Sequence, residues 1–208
     1  MKFIAFLVLS VALAAAPRAL AIGPVVLDFE SLAVNDAGYH DRGTTYSEDG
    51  FTLNNLAVSP PFRSFGTLES RFPGSTALFN DAIDGTTELV KTGGGAFDLA
   101  SIDLAELNAA NPAVVAFTGE LLGGGSVNQA FTLDGIGPAN GLQTFNFAGF
   151  NNVVRVTWAQ VSPFHQFDNI TIGRVPEPGT AALLLMAGAM IGVGRRGRGG
   201  RALSESHS

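Results

Sequence analysis

Val25-Val26-Leu27-Asp28-Phe29 decides how the body of this 208-residue chain is read. In an extended strand side chains alternate between two faces, so Val25, Leu27 and Phe29 share one face and Val26 and Asp28 take the other. One face belongs to a core. The pattern returns late in the chain. Thr144-Phe145-Asn146-Phe147 sets its two phenylalanines together, and the run from Val153 to Trp158 points Val154, Val156 and Trp158 inward with Arg155 and Thr157 outward. Further strand candidates are Gly50 to Leu53, Ala77 to Phe79, Thr87 to Val90, Ala113 to Leu122, Val127 to Leu133 and Gln166 to Ile172. Gly123 to Ser126 reads as a hairpin loop. Between Leu99 and Ile102 the alternation slips, which predicts a bulge or a strand passing between sheets. No amphipathic helix of useful length interrupts these runs. About ten short strands with regular turns make an all-β fold, a two-sheet antiparallel sandwich whose preferred version is a jelly roll. Two stretches, Val34 to Tyr46 and Ser59 to Ser75, lack periodicity and read as loops, where a rigid sandwich often keeps its function.

The two ends read differently. Lys2 precedes an apolar run from Phe3 to Ala16, and the segment closes on Ala19-Leu20-Ala21. A charged start, a short apolar core and a small-x-small exit predict a signal peptide over residues 1–21, cut after Ala21 and exported by machinery of the Sec type. The sandwich domain then occupies 22–173. At the far end stand Val175-Pro176-Glu177-Pro178, an apolar stretch over 179–194, and Arg195, Arg196 and Arg198. As a helix the apolar core of that stretch would span roughly 22 Å, short of the ~30 Å hydrocarbon layer of a bilayer. It predicts a short helix in the inner membrane, with the arginines retained on the cytoplasmic side and 199–208 as a disordered cytoplasmic tail. These three elements in this order over 174–198 resemble the PEP-CTERM sorting signal of Gram-negative bacteria. The resemblance implies recognition and processing by an exosortase-like enzyme, a transient anchor, and a final place at the cell surface or in the extracellular matrix.

Composition bounds the body. The whole chain carries 12 Lys and Arg, 18 Asp and Glu and no Cys. Six of the basic residues (Lys2, Arg18, Arg195, Arg196, Arg198, Arg201) and two of the acidic ones (Glu177, Glu205) lie in the ends, which leaves the body near −10. That balance argues against nucleic acid, whose phosphates require a basic face. An exported domain without disulfides must be held by its core, with or without help from a metal.

Chemistry is sparse. No His-x-x-x-His pair, nucleophile elbow or phosphate loop occurs, so the body reads as non-enzymatic. The alternative is an exported glycan hydrolase using a carboxylate pair, which needs only two suitably spaced acids. For ligand binding, aromatics that stack on sugars are the natural candidates. Tyr39, His40, Tyr46, Phe62, Phe65 and His165 fall in expected loops, and Pro163 to Gln166 lies directly before the last strand; Tyr39, Tyr46, Phe164 and His165 are the residues expected to contact an extracellular polysaccharide. Trp158, inward by parity, belongs to the core. If Ile170 and Ile172 face inward, period two turns Asp168 inward as well, and a buried carboxylate needs a partner. Asp28 and Glu30 in the first strand are the expected partners. Asp28-Phe29-Glu30 and Phe167-Asp168-Asn169 resemble the acidic first and last strands of galactose-binding-like jelly rolls among carbohydrate-binding modules. That resemblance implies a structural calcium held by Asp28, Glu30 and Asp168, a ligand set suited to a hard cation.

Overall fold

The computed structural model describes residues 23–57, 59–108, 112–161 and 164–173. The signal peptide and the sorting tail expected from the sequence lie outside them. The described residues form two antiparallel sheets. The first contains β1 (Val25–Leu27), β2 (Tyr39–Asp41), β5 (Phe62–Phe65), β6 (Leu78–Asn80), β8 (Leu99–Glu106), β11 (Gln143–Asn146) and β13 (His165–Ile172), in the order β11-β8-β13-β6-β5-β2 with β1 also paired to β13. The second contains β3 (Thr45–Glu48), β4 (Phe51–Asn55), β7 (Thr86–Lys91), β9 (Val114–Leu121), β10 (Ser126–Thr132) and β12 (Val153–Ala159), in the order β10-β9-β12-β7-β4-β3. From β6 onward the order β11-β8-β13-β6 faces β7-β12-β9-β10. That interleaving of two Greek keys is a jelly roll, with β1 to β5 widening both sheets.

Burial of the alternating faces joins the sheets. Leu27 and Phe29 are buried while Val26 is exposed, as the opening pentapeptide predicts. Phe167 of β13 meets Phe29, Phe62 and Trp158 edge to face, with ring centroids 5.9, 6.3 and 5.1 Å apart, the geometry that ring quadrupoles favour. A second aromatic group forms around Phe117, which contacts Phe131, Phe147 and Trp158 at 5.7, 5.1 and 5.3 Å. Gly119 on the same strand has no room for a side chain, since a Cβ there would lie 2.9 Å from the Phe150 ring.

Two expectations need correction. The stretches 34–46 and 59–75 are not wholly loop: they contain β2, the start of β3, and β5. Their alternation is hidden because each strand is only three or four residues long and carries polar side chains on its inner face, such as buried Ser64. In β12 the inward residue is Val153, fully buried, and Val154 is half-buried. A bulge between Val153 and Arg155 shifts the parity there. The slip in β8 is real: Ser101 and Leu99 pair with the adjacent Thr171 and Ile172, so Ala100 is the extra residue. The Gly123–Ser126 hairpin is also present, closed by the Leu121 N–H on the Gly125 carbonyl at 3.1 Å.

Candidate functional site

The outer face of the first sheet carries an aromatic and arginine groove at its β2-β5-β6 end. Phe62 and Leu78 point into the core, so alternation turns Arg63, Phe65 and Phe79 outward. Register then builds rows across the three strands: Tyr39 stands opposite Phe65, and Asp41 opposite Arg63 opposite Phe79. Phe65 and Phe79 stack with centroids 4.9 Å apart. Arg71, on the loop between β5 and β6, lies over Phe65 at 4.3 Å, and Arg63 lies over Tyr39 at 4.5 Å, both within cation–π range.

This loop is fixed from several sides. The Gly66, Thr67 and Leu68 N–H groups donate to the carbonyls of Gly38, Val34 and Asp36 at 2.8, 2.9 and 2.9 Å. Gln166 of β13 donates Nε2 to the Arg71 carbonyl at 2.9 Å. Leu107 closes the groove with Phe164, whose carbonyl accepts the Leu107 N–H at 2.8 Å. The groove encloses about 230 Å³, and Asp81 and Asn108 add polar groups to its lining. Arg63 Nε lies 3.0 Å from Asp41 Oδ1 and 3.0 Å from Asp81 Oδ2, off the line of the N–H, so these are ion pairs more than hydrogen bonds. Arg71 Nε donates to Glu69 Oε2 at 3.0 Å.

Of the four aromatic and imidazole residues expected to contact ligand, Tyr39 and Phe164 line this groove. Tyr46 does not: it packs on Phe29 at 5.3 Å and its hydroxyl meets Ser31 at 3.1 Å. His165 is fully buried in β13, opposite Glu106, with neither ring nitrogen hydrogen-bonded. Burial pushes its pKa down to about 3. Phe65 reaches the groove and Phe62 the core, since three residues apart on a strand means opposite faces. Arg63, Arg71, Asp81 and Asn108 were missed; their roles depend on strand pairing and on a loop folding back.

His40 bonds Asp36 through Nε2 and Oδ1 at 2.9 Å. Ser64, its cross-strand partner, is wholly buried and accepts a bond from Arg42 Nε at 2.8 Å.

The acidic residues come together only in part. Asp168 is buried, but on the outer side of β13, because Asn169 adopts a left-handed backbone (φ 45) and adds a residue opposite the β8 register. That bulge lets Phe167 and Ile170 both face inward and overturns the parity argument for Asp168. Glu30 accepts Ser75 Oγ at 2.7 Å, Thr76 N at 2.9 Å and Thr76 Oγ1 at 3.2 Å, which holds its pKa low. The Asp168 carboxyl is pushed up to about 7, first by burial and further by the charges of Glu30 and Asp103. Asp28 stands apart, its Oδ1 taken by the Glu30 N–H at 3.1 Å. Among the described residues no three His, Asp or Glu side chains form a metal-binding group.

Beyond this domain the chain carries a sorting address. Residues 174–198 match the PEP-CTERM protein-sorting motif. The match covers Val175, Pro176, Glu177, Pro178, Arg195, Arg196 and Arg198, and marks the protein as exported and sorted. No curated protein matches the chain. Among solved structures, a family 29 carbohydrate-binding module is similar over 73% of this chain and 87% of its own, at 13% identity and a TM-score of 0.30. A CBM29-2 variant complexed with mannohexaose gives 74%, 92%, 14% and 0.29. The CBM22-1–GH10 modules of Clostridium thermocellum endo-1,4-beta-D-xylanase 10B, complexed with xylohexaose, give 72%, 28%, 15% and 0.34. Among the described residues no helix is long and apolar enough to cross a membrane.

Proposed function

We propose that this is a non-enzymatic surface or matrix protein that binds extracellular polysaccharide through the Tyr39–Phe164 groove. The supporting observation is the groove itself: the exposed Tyr39 ring beside a buried Phe65–Phe79 stack, with two ring-bound arginines and an acidic acceptor on one face of a rigid sheet. Sugars are recognised by that combination of apolar ring faces and placed donors and acceptors. The test is retention of the secreted protein on the host's own extracellular polysaccharide. Tyr39→Ala should abolish retention, whereas Thr118→Ala, on the outer face of the second sheet, should not. Equal retention of both variants would move binding elsewhere, and no retention of the parent protein would end the sugar reading.

The sorting motif supports a route in which a Sec-type signal ending at Ala19-Leu20-Ala21 exports the chain. The tail then docks in the inner membrane and an exosortase-like enzyme removes it. A calcium ion is a further proposal: of the three expected ligands Glu30 and Asp168 would hold it, without Asp28, whose Oδ1 already accepts the Glu30 N–H. Calcium should raise the melting temperature of the parent protein and leave Asp168→Asn unmoved.

A further inference from the structure

The charges around the groove point to the class of sugar it takes, an inference that rests on the sugar-binding reading above. We infer that the groove selects an uncharged sugar over a uronic acid or other anionic glycan. Two arginines in a groove suggest at first a site for carboxylates. Here both are already matched. Arg63 lies between Asp41 and Asp81 at 3.0 Å from each, and Arg71 is held by Glu69 at 3.0 Å. Two guanidinium groups against three carboxylates leave the immediate surroundings formally negative. The body's surplus of acid, near −10, adds a field of the same sign. An incoming carboxylate would meet Asp81 in the groove itself.

A neutral pyranose has different needs: a ring for its apolar face, and donors beside acceptors for neighbouring hydroxyls. Tyr39 supplies the ring, with 55% of its surface exposed although Arg63 covers one face. Arg63, Arg71 and Asn108 supply donors and Asp81 the acceptor. The carboxylates hold both guanidinium groups in place before a ligand arrives, which lowers the ordering cost of binding.

Ligand-observed NMR titrations of the secreted protein test this. The probes are the methyl glycosides of glucose, mannose, galactose and xylose, with methyl glucuronide and methyl galacturonide as acidic counterparts. Each is run at about 0.01 M and about 1 M salt, where the screening length is ~30 Å and ~3 Å. At least one neutral glycoside should bind, weaken about tenfold in Tyr39→Ala, and change less than about twofold between the two salts. The uronides should bind at least about tenfold more weakly. A uronide that binds more tightly than every neutral probe, and loses affinity in high salt, overturns the charge inference and leaves sugar binding standing. Silence from all the probes overturns the sugar reading with it.

Discussion

Asp168→Asn perturbs a carboxyl that the fold buries and keeps protonated up to about pH 7, against an ordinary value of 3.8. A gap of roughly three units is worth on the order of 4 kcal/mol at ~1.4 kcal/mol per unit. Between those two values the folded chain holds a proton that the unfolded chain has released, so stability falls as pH rises. This contribution is complete below about pH 4 and lost above about pH 7. His165 acts in the opposite sense. Its buried ring titrates only at about 3, so the unfolded chain binds a proton near pH 6.5 that the folded chain refuses, and stability falls as pH drops from there toward 3. In the parent protein the two slopes oppose each other between about pH 4 and 6.5 and flatten the curve. Removing the Asp168 titration should expose the His165 slope, with stability rising by a few kcal/mol across that window. Above pH 7 the variant should exceed the parent by a few kcal/mol, less about 1 kcal/mol because the Asn169 Nδ2 group, 3.4 Å from Asp168 Oδ2, then faces a second donor. Urea unfolding in chelated buffer from about pH 4 to 8, with an unchanged m-value, reads this directly. Variant and parent curves that run parallel across the window would refute the burial argument.

Phe117→Ala removes a ring packed against Phe131, Phe147 and Trp158 and should cost about 3–5 kcal/mol in urea unfolding; a loss under about 1 kcal/mol would mean that the aromatic core is not built as described. Asn169→Val should be less stable than Asn169→Gly by about 1–2 kcal/mol, since both lose the 2.9 Å bond to Asp103 and only Val resists the left-handed backbone. Equal losses would remove the case for a bulge at that residue. Protein recovered from the native surface should lack everything beyond the Pro-Glu-Pro region by intact mass, and a mature pool that still holds Arg195 to Ser208 would contradict tail processing.

Period-two patterning in Val25–Phe29 and around Val156 and Trp158 is local, and so are the glycine-rich turn at Gly123 and the tripartite tail. These could be read without a structure because each is a property of neighbouring residues: strand parity, turn geometry, and hydrophobic length beside a block of arginines. Even the β8 bulge announced itself, because an extra residue breaks a periodic pattern on its own strand. The Asn169 bulge did not, and one residue's backbone there sent Asp168 to the outer face.

The groove was legible only at Tyr39, Phe65 and Phe164. Arg63 and Phe79 come from different strands, Arg71 from a loop folded back over them, and Phe164 from the far end of the domain. What brings them together is the order β6-β5-β2 at one end of the sheet and the hydrogen bond from Gln166 to Arg71. Sequence by itself determined an all-β exported body with a sorting tail, because alternation and hydrophobic length act along the chain. Tertiary structure alone decided the site, because contacts between residues 39 and 65, or 71 and 166, depend on register and loop closure between segments that the linear pattern does not connect.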